Sequence, residues 1–272
     1  MIKYLDMKNK LLYKAAPFLL IVLMLPFSIL AQSKEDFKRE HFVKDGDTLK
    51  YRILFPKDFS EDKKYPVLLF LHGAGERGDD NESQLIHGSE LFLKNQEKFP
   101  AIVIFPQAPK EDYWAKVEVN RDTVPFRFIF KNEEESTKSL KLVMGLMENL
   151  LTKDFVNKDR VYVGGLSMGG MGTYEIIYKK PEMFTAAFAI CGGADPFIAK
   201  AYPKGFNIWI FQGEKDDVVP PEYSKTMARA INTNGGNAKL SLYPNDNHNS
   251  WDSAFAEPEL LPWLFNQTKN KK

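Results

Sequence analysis

The sequence has little cysteine, little histidine and almost no net charge. The first and the last of these exclude certain classes of protein, and the few histidines limit the candidates for a catalytic base. The single cysteine, Cys191, excludes a scaffold held by internal disulfides. Lys and Arg number 37 and Asp and Glu 36, so the formal net charge is +1, which gives no electrostatic reason to expect a nucleic-acid partner. There are only four histidines. Internal repeats, low-complexity tracts and a linker between domains are also missing.

Apolar residues, by contrast, are plentiful. The chain has 272 residues, of which 44% are hydrophobic, enough to build one large α/β domain or two small ones. Because no linker interrupts it, we expect a single domain over residues 32–272. Cys191 follows an apolar run at residues 186–190 and is expected to be a small, buried hydrophobic side chain.

Residues 1–31 have the pattern of a signal peptide. Four lysines between residues 3 and 14 precede an apolar stretch at residues 15–30, and small Ala31 precedes polar Gln32. This order predicts cleavage after Ala31 and export to the periplasm or the cell exterior, with no stable membrane insertion of the mature chain. A membrane anchor is the alternative, because the apolar run is close to the shortest length that spans a bilayer. Pro26 and the junction after Ala31 favour cleavage.

The most informative stretch surrounds Ser167. A β-branched and aromatic run at residues 161–163 predicts a buried strand, and residues 171–180 predict a helix. Between them lies Gly-x-Ser-x-Gly, formed by Gly165, Ser167 and Gly169, which in this context indicates a nucleophile elbow. A side chain at either glycine is expected to collide with neighbouring backbone. The sequence therefore predicts a serine nucleophile at the end of a strand.

Strand candidates alternate with helix candidates along the rest of the chain. Such alternation predicts a mostly parallel sheet with helices on both faces, and the opening hairpin adds antiparallel strands at one edge. Residues 107–132 have no clear period and are predicted to be loop and insertion. The predicted strands cover residues 41–43, 49–55, 66–71, 101–105, 161–163, 184–190, 207–211 and 240–243, and the predicted helices cover 89–98, 136–151, 171–180, 220–233 and 251–267.

A serine nucleophile needs a base, and the base needs a carboxylate to orient it. After a nucleophile elbow the acid comes first along the chain and the histidine second. His248 is the only histidine after Ser167, so it is the candidate base. Two carboxylates, Asp216 and Asp217, follow the strand at residues 207–211 and compete for the role of the acid.

Two backbone amides are candidates for the oxyanion hole, the pair of donors that stabilises the tetrahedral intermediate. One is the N–H of Met168, directly after the nucleophile. The other is the N–H of Ala74, in the glycine-rich loop that follows the strand at residues 66–71. His72, in the same loop, is expected to hold the loop in place through a hydrogen bond.

Taken together, these motifs resemble the α/β-hydrolase superfamily. More narrowly, residues 69–81 (LFLHGAGERGDDN), Pro106-Gln107 followed by Trp114, and His248-x-x-Trp251 resemble secreted bacterial esterases that are labelled predicted peptidases or phospholipase/carboxylesterase-like proteins and are related to feruloyl and acetyl-xylan esterases. In that group, the strand before the acid usually ends in the motif His-Gly-x-x-Asp-x-x-Val-Pro. The Asp of this motif aligns with Asp216, so the resemblance selects Asp216 over Asp217. This chain has Gln212 in place of the histidine.

The resemblance implies a serine carboxylic ester hydrolase that acts through an acyl-enzyme, without a metal or an organic cofactor. A serine peptidase with the same triad and a catalytically inactive binding module are the alternatives. Trp114 and Trp251 are predicted to bind the substrate, a small-molecule or polysaccharide ester, because aromatic faces suit a sugar ring or a phenolic acyl group. Phe126 and Phe128 fit either this role or the core.

Overall fold

The computed structural model describes residues 33–269. The predicted signal peptide, residues 1–31, lies outside this range, and its cleavage stays a prediction. Within the described range, no helix combines the length and the apolar character that crossing a bilayer would require.

Residues 33–269 form ten strands, of which eight build one central sheet. The strands are β1 (Lys38–Lys44), β2 (Asp47–Leu54), β3 (Tyr65–Leu71), β4 (Ile102–Pro106), β5 (Val117–Asn120), β6 (Arg127–Phe130), β7 (Val156–Leu166), β8 (Ala186–Ile190), β9 (Asn207–Gly213) and β10 (Asn237–Tyr243). The sheet order is β1-β2-β4-β3-β7-β8-β9-β10. All neighbours from β4 to β10 run parallel, whereas β1 pairs with β2 and β2 with β4 antiparallel. The predicted fold class, with its antiparallel N-terminal hairpin, is confirmed.

In the part of the chain that the structure describes, six α-helices cover the two faces of the sheet. They are α1 (Ser89–Asn95), α2 (Lys138–Leu150), α3 (Met168–Lys179), α4 (Pro221–Thr233), α5 (Trp251–Ala256) and α6 (Leu260–Phe265). Side chains along a strand alternate between the faces. Accordingly, Leu69 and Val163 pack with α2, α3 and α4, while Phe70 and Tyr162 pack with α1, α5 and α6. Every residue of β3 is buried, as the unbroken apolar run predicts.

Two predicted segments need correction. The insertion at residues 107–132 is not all loop, because β5 and β6 form an antiparallel hairpin within it. The predicted helix at residues 251–267 is two short helices, α5 and α6, separated at Pro258. Proline lacks a backbone N–H and disfavours helical geometry in the preceding residue, so the first helix ends before it.

The hairpin is fastened to α3 by one buried carboxylate. Glu175 Oε2 accepts a hydrogen bond from the Lys116 N–H at 2.7 Å and another from the Asn132 side-chain amide at 2.8 Å. These two partners lie just before β5 and just after β6, so both ends of the hairpin are held by one residue. Burial raises the pKa of Glu175, and the hydrogen bonds oppose that effect.

Candidate active site

Ser167 occupies a strained turn between β7 and α3. Its φ is 52°, in a region that non-glycine residues seldom adopt. A Cβ on Gly169 would lie 1.9 Å from the Leu71 carbonyl oxygen, and one on Gly165 would lie 2.4 Å from the Gly169 carbonyl oxygen. Both distances are far inside van der Waals contact, so the predicted steric role of the two glycines is confirmed. The turn lifts the Ser167 hydroxyl above the carboxyl edge of the sheet.

His248 lies in the loop between β10 and α5 and contacts both of its expected partners. Its Nε2 is 2.9 Å from Ser167 Oγ, and its Nδ1 is 2.9 Å from Asp216 Oδ2. An ionised carboxylate can only accept hydrogen bonds. The proton of a neutral His248 ring therefore sits on Nδ1, and Nε2 is left to accept the serine proton. This is the arrangement of a Ser-His-Asp triad.

The structure separates the two competing carboxylates. The Asp216 side chain is fully buried and also accepts, at Oδ1, the N–H groups of Val218 at 3.0 Å and Val219 at 2.9 Å. Asp217 is exposed, and its backbone N–H, at 3.5 Å, lies near the Asn247 side chain. Only Asp216 is hydrogen-bonded to His248, as the motif spacing predicts.

Gln212, the departure from the family motif, supports Asp216 directly. It is fully buried at the end of β9, and its Nε2 donates to Asp216 Oδ2 at 2.9 Å. Its Oε1 accepts a hydrogen bond from Ser224 Oγ at 2.7 Å. The sequence marks Gln212 only as a departure from the motif. Its amide supplies the carboxylate with a donor on the side opposite the Val218 and Val219 amides.

The two predicted oxyanion donors begin helical segments. Met168 opens α3, and Ala74 opens a single 3₁₀ turn, Ala74–Glu76. The first N–H groups of a helix have no partner within it, so both amides are available to a ligand. Ala74 lines the same pocket as Ser167. Their role as oxyanion donors stays a prediction.

His72 fixes the loop that carries Ala74. The Ala108 N–H donates to its Nε2 at 3.1 Å, so its Nδ1 carries the proton and donates to the Gly73 carbonyl at 2.6 Å. Burial lowers the pKa of His72 to about 4, which keeps the ring neutral near pH 7. The expected structural role of His72 is confirmed.

A pocket of about 260 Å³ opens in front of Ser167. Trp251 lines it, with its ring 5.5 Å from that of His248 and nearly perpendicular to it, as the spacing of the two residues suggests. Charged side chains reach the pocket from two sides, Glu76 from the 3₁₀ turn and Arg121 from the hairpin loop. A larger groove of about 880 Å³ adjoins the hairpin and shares Phe126 and Phe128 with this pocket.

Trp114 does not reach the pocket, and the prediction that it binds substrate is wrong. Its side chain is fully buried, and its ring N–H donates to the His72 carbonyl at 3.1 Å. Trp114 therefore belongs to the core beneath the loop that carries His72 and Ala74. Phe128 fits both roles considered for it, since it is buried and also lines the pocket.

Cys191 is fully buried at the end of β8, as predicted. Its thiol lies with Asp216 and His248 in a group whose ligand atoms are all within 4.8 Å of one another. Burial raises the pKa of the Cys191 thiol, so it stays protonated, whereas metal ions bind the thiolate. Asp216 and His248 are already hydrogen-bonded to each other. Asp216 and His248 are therefore better explained by their hydrogen bonds with each other and with Ser167 than by a metal site.

Comparison with known proteins shows which proteins this chain is similar to. The chain is 32% identical over 185 residues to a bifunctional acetylxylan esterase/xylanase of Neocallimastix patriciarum, a match that covers 68% of this chain and 23% of that protein. It is 25% identical over 197 residues to lysophospholipase-like protein 1 of Mus musculus, with 66% of this chain and 79% of the relative covered. Its fold is similar to that of a thermostable esterase, with a TM-score of 0.77 and 33% identity over 86% of this chain and 64% of that structure.

The chain thus spans less than a quarter of the first relative and less than two thirds of the esterase structure. The match to a protein family covers most of this chain. It extends over residues 59–257, from the loop before β3 to the end of α5, and includes Ser167, Asp216 and His248. The chain therefore belongs to the phospholipase/carboxylesterase family of α/β-hydrolases.

Proposed function

We propose that this chain is a serine hydrolase of carboxylic esters that acts through a covalent acyl-enzyme. The proposal depends on one observation: the His248 ring is within hydrogen-bond distance of both Ser167 Oγ and the Asp216 carboxylate. Membership in a family described as phospholipase/carboxylesterase supports an ester substrate.

In the proposed mechanism, each group of the site has its own step. Ser167 Oγ attacks the ester carbonyl carbon while His248 Nε2 takes the hydroxyl proton. Asp216 holds the ring orientation and stabilises the imidazolium that forms. The amides of Met168 and Ala74 donate to the oxyanion. His248 passes its proton to the departing alkoxide, and water then releases the acid by the same steps.

For the substrate we propose a small or aromatic acyl ester of a carbohydrate. A pocket of about 260 Å³ is small beside the few hundred to a thousand Å³ typical of ligand pockets, which suits a short or planar acyl group. Trp251 offers an aromatic face beside the base. The relative from Neocallimastix patriciarum carries acetylxylan esterase in its name.

Two experiments test these statements separately. An organophosphonate probe should label the wild-type protein and leave folded Ser167→Ala unlabelled and inactive. Labelling of Ser167→Ala would refute the nucleophile. For the substrate, kcat/KM for acetyl and feruloyl sugar esters should exceed that for long-chain lipid esters. A preference for long chains by about tenfold, or 1.4 kcal/mol, would refute the carbohydrate ester.

We also propose that the protein is exported and cleaved after Ala31. The support is the basic and apolar pattern of residues 1–31. N-terminal sequencing of the protein recovered from the periplasm or medium should begin at Gln32. A retained Met1 would indicate a membrane anchor.

A further inference from the structure

One carboxylate in the pocket has no role in the acyl-transfer steps. Glu76 ends the 3₁₀ turn Ala74–Glu76, and only 8% of the residue is exposed. It lines the pocket together with Ser167 and His248. Among residues 33–269, no group donates a hydrogen bond to its carboxylate oxygens, and His87 Nε2 is 3.8 Å from Oε1. A carboxylate so placed is costly to desolvate unless something donates to it.

Gly73 and His87 border this carboxylate. Oε2 lies over Gly73, where a Cβ would come within 2.8 Å of it. On the other side, the His87 ring packs 5.1 Å from the ring of Trp251, which in turn packs against His248. Glu76 and His87 thus form a polar edge along the aromatic face beside the catalytic base.

A carboxylate can bind an ammonium group or hydroxyl groups, and the other charges in the pocket favour one of these two kinds of ligand. Arg121 lines the same pocket, and its guanidinium lies 5.3 Å from the Phe126 ring. Glu76 and Arg121 are the one acidic and the one basic side chain among the described residues that line this pocket, so neither sign of charge prevails in the lining. A carboxylate and a guanidinium in one lining match a ligand with many hydroxyl groups, which donate to the first and accept from the second.

We propose that Glu76 recognises the hydroxyl groups of the sugar part of the substrate and thereby selects sugar esters over simple alkyl esters. This inference rests on the proposed function, since it concerns the same pocket and the same ester. Glu76 acts in specificity: its two oxygens accept hydroxyl hydrogen bonds while Trp251 covers the ring face. A site built to bind hydroxyls discriminates strongly against analogues that lack them, because its buried polar groups are then left unpaired.

The test compares two substrates with the same acyl group, an acetylated xylo-oligosaccharide and ethyl acetate. In Glu76→Gln, the ratio of their kcat/KM values should fall by about tenfold or more relative to wild type, mainly through KM for the sugar ester. Glu90→Gln is the matched control, because Glu90 is an exposed carboxylate on α1. The control should keep the wild-type ratio, and thermal melts should show that all three proteins are folded.

The possible outcomes separate this inference from the proposed function. If wild type hydrolyses the sugar ester and Glu76→Gln keeps the wild-type ratio, the inference is wrong and the proposed function stands. If wild type hydrolyses ethyl acetate and not the sugar ester, both the carbohydrate substrate and the inference are refuted. Alanine ethyl ester, which carries an ammonium group, supplies the last arm. A loss confined to that substrate would assign Glu76 to ammonium binding and overturn the inference.

Discussion

Replacing Gln212 tests how much of the triad depends on a residue outside it. Gln212→Leu keeps the approximate size of the side chain but removes the donor to Asp216 Oδ2 at 2.9 Å. Asp216 keeps its hydrogen bonds with the Val218 and Val219 amides and with His248 Nδ1. The carboxylate is therefore expected to stay in place with one donor fewer.

The magnitude follows from the kind of hydrogen bond that is lost. A hydrogen bond to a charged group contributes about 1.5–3 kcal/mol, and about 1.4 kcal/mol corresponds to a tenfold change in rate. If Gln212 supports the carboxylate as the imidazolium forms, kcat should fall by roughly 10- to 100-fold with little change in KM. This loss is smaller than the roughly 10⁴-fold effect of replacing the acid of a triad by Asn.

Steady-state kinetics with p-nitrophenyl acetate measures the effect, and a thermal melt confirms folding. Ser224→Ala is the control, because it removes the donor to Gln212 Oε1 and leaves the bond to Asp216 in place. It should therefore lose less activity than Gln212→Leu. A folded Gln212→Leu enzyme with the wild-type kcat would show that backbone amides alone hold Asp216, and the reasoning would be refuted.

Three further predictions follow from the site. Asp216→Asn should lower kcat by about 10⁴-fold on the triad precedent, and Asp217→Asn should have little effect; reversed kinetics would move the acid to Asp217. Gly169→Ala should give insoluble or inactive protein, because its Cβ would lie 1.9 Å from the Leu71 carbonyl oxygen; a soluble, fully active variant would contradict the elbow geometry. Cys191 should react with a thiol reagent only after denaturation, because its thiol is buried and its pKa is raised; rapid labelling of native protein would contradict its burial.

The parts of the site that the sequence predicts well are set by local sterics and by chain order. Glycines beside Ser167 leave little choice of backbone geometry, and His248 is the one histidine that follows it. The choice between Asp216 and Asp217 needed the family motif. The structure supplies the reason, since Asp216 Oδ1 accepts the amides two and three residues ahead, a local turn that Asp217 does not make.

The predictions that are wrong or incomplete concern residues whose position depends on contacts with distant parts of the chain. Trp114 is covered by the loop that carries His72, and nothing near it in sequence shows that its ring N–H has a buried acceptor. The sequence does contain a signal for the hairpin, because phenylalanine recurs at every second position, at Phe126, Phe128 and Phe130. The strand itself, β6, is only four residues long, which is too short to be recognised inside an irregular segment. The sequence shows Glu76 only as part of a glycine-rich loop, because the pocket that it lines is completed by residues far away in the chain, such as Ser167 and His248.

The attachment of the hairpin to Glu175 bears on how the proposed substrate range could change. Both ends of the segment between Lys116 and Asn132 are anchored on one side chain of the helix that follows the nucleophile. Loops that rest on a rigid scaffold tolerate insertions and deletions better than the scaffold itself. Descendants of this chain could therefore lengthen, shorten or exchange the hairpin and change which esters fit, while Ser167, His248 and Asp216 keep their positions. The hairpin that lines the pocket and the three residues proposed to react are thus carried by different parts of the fold.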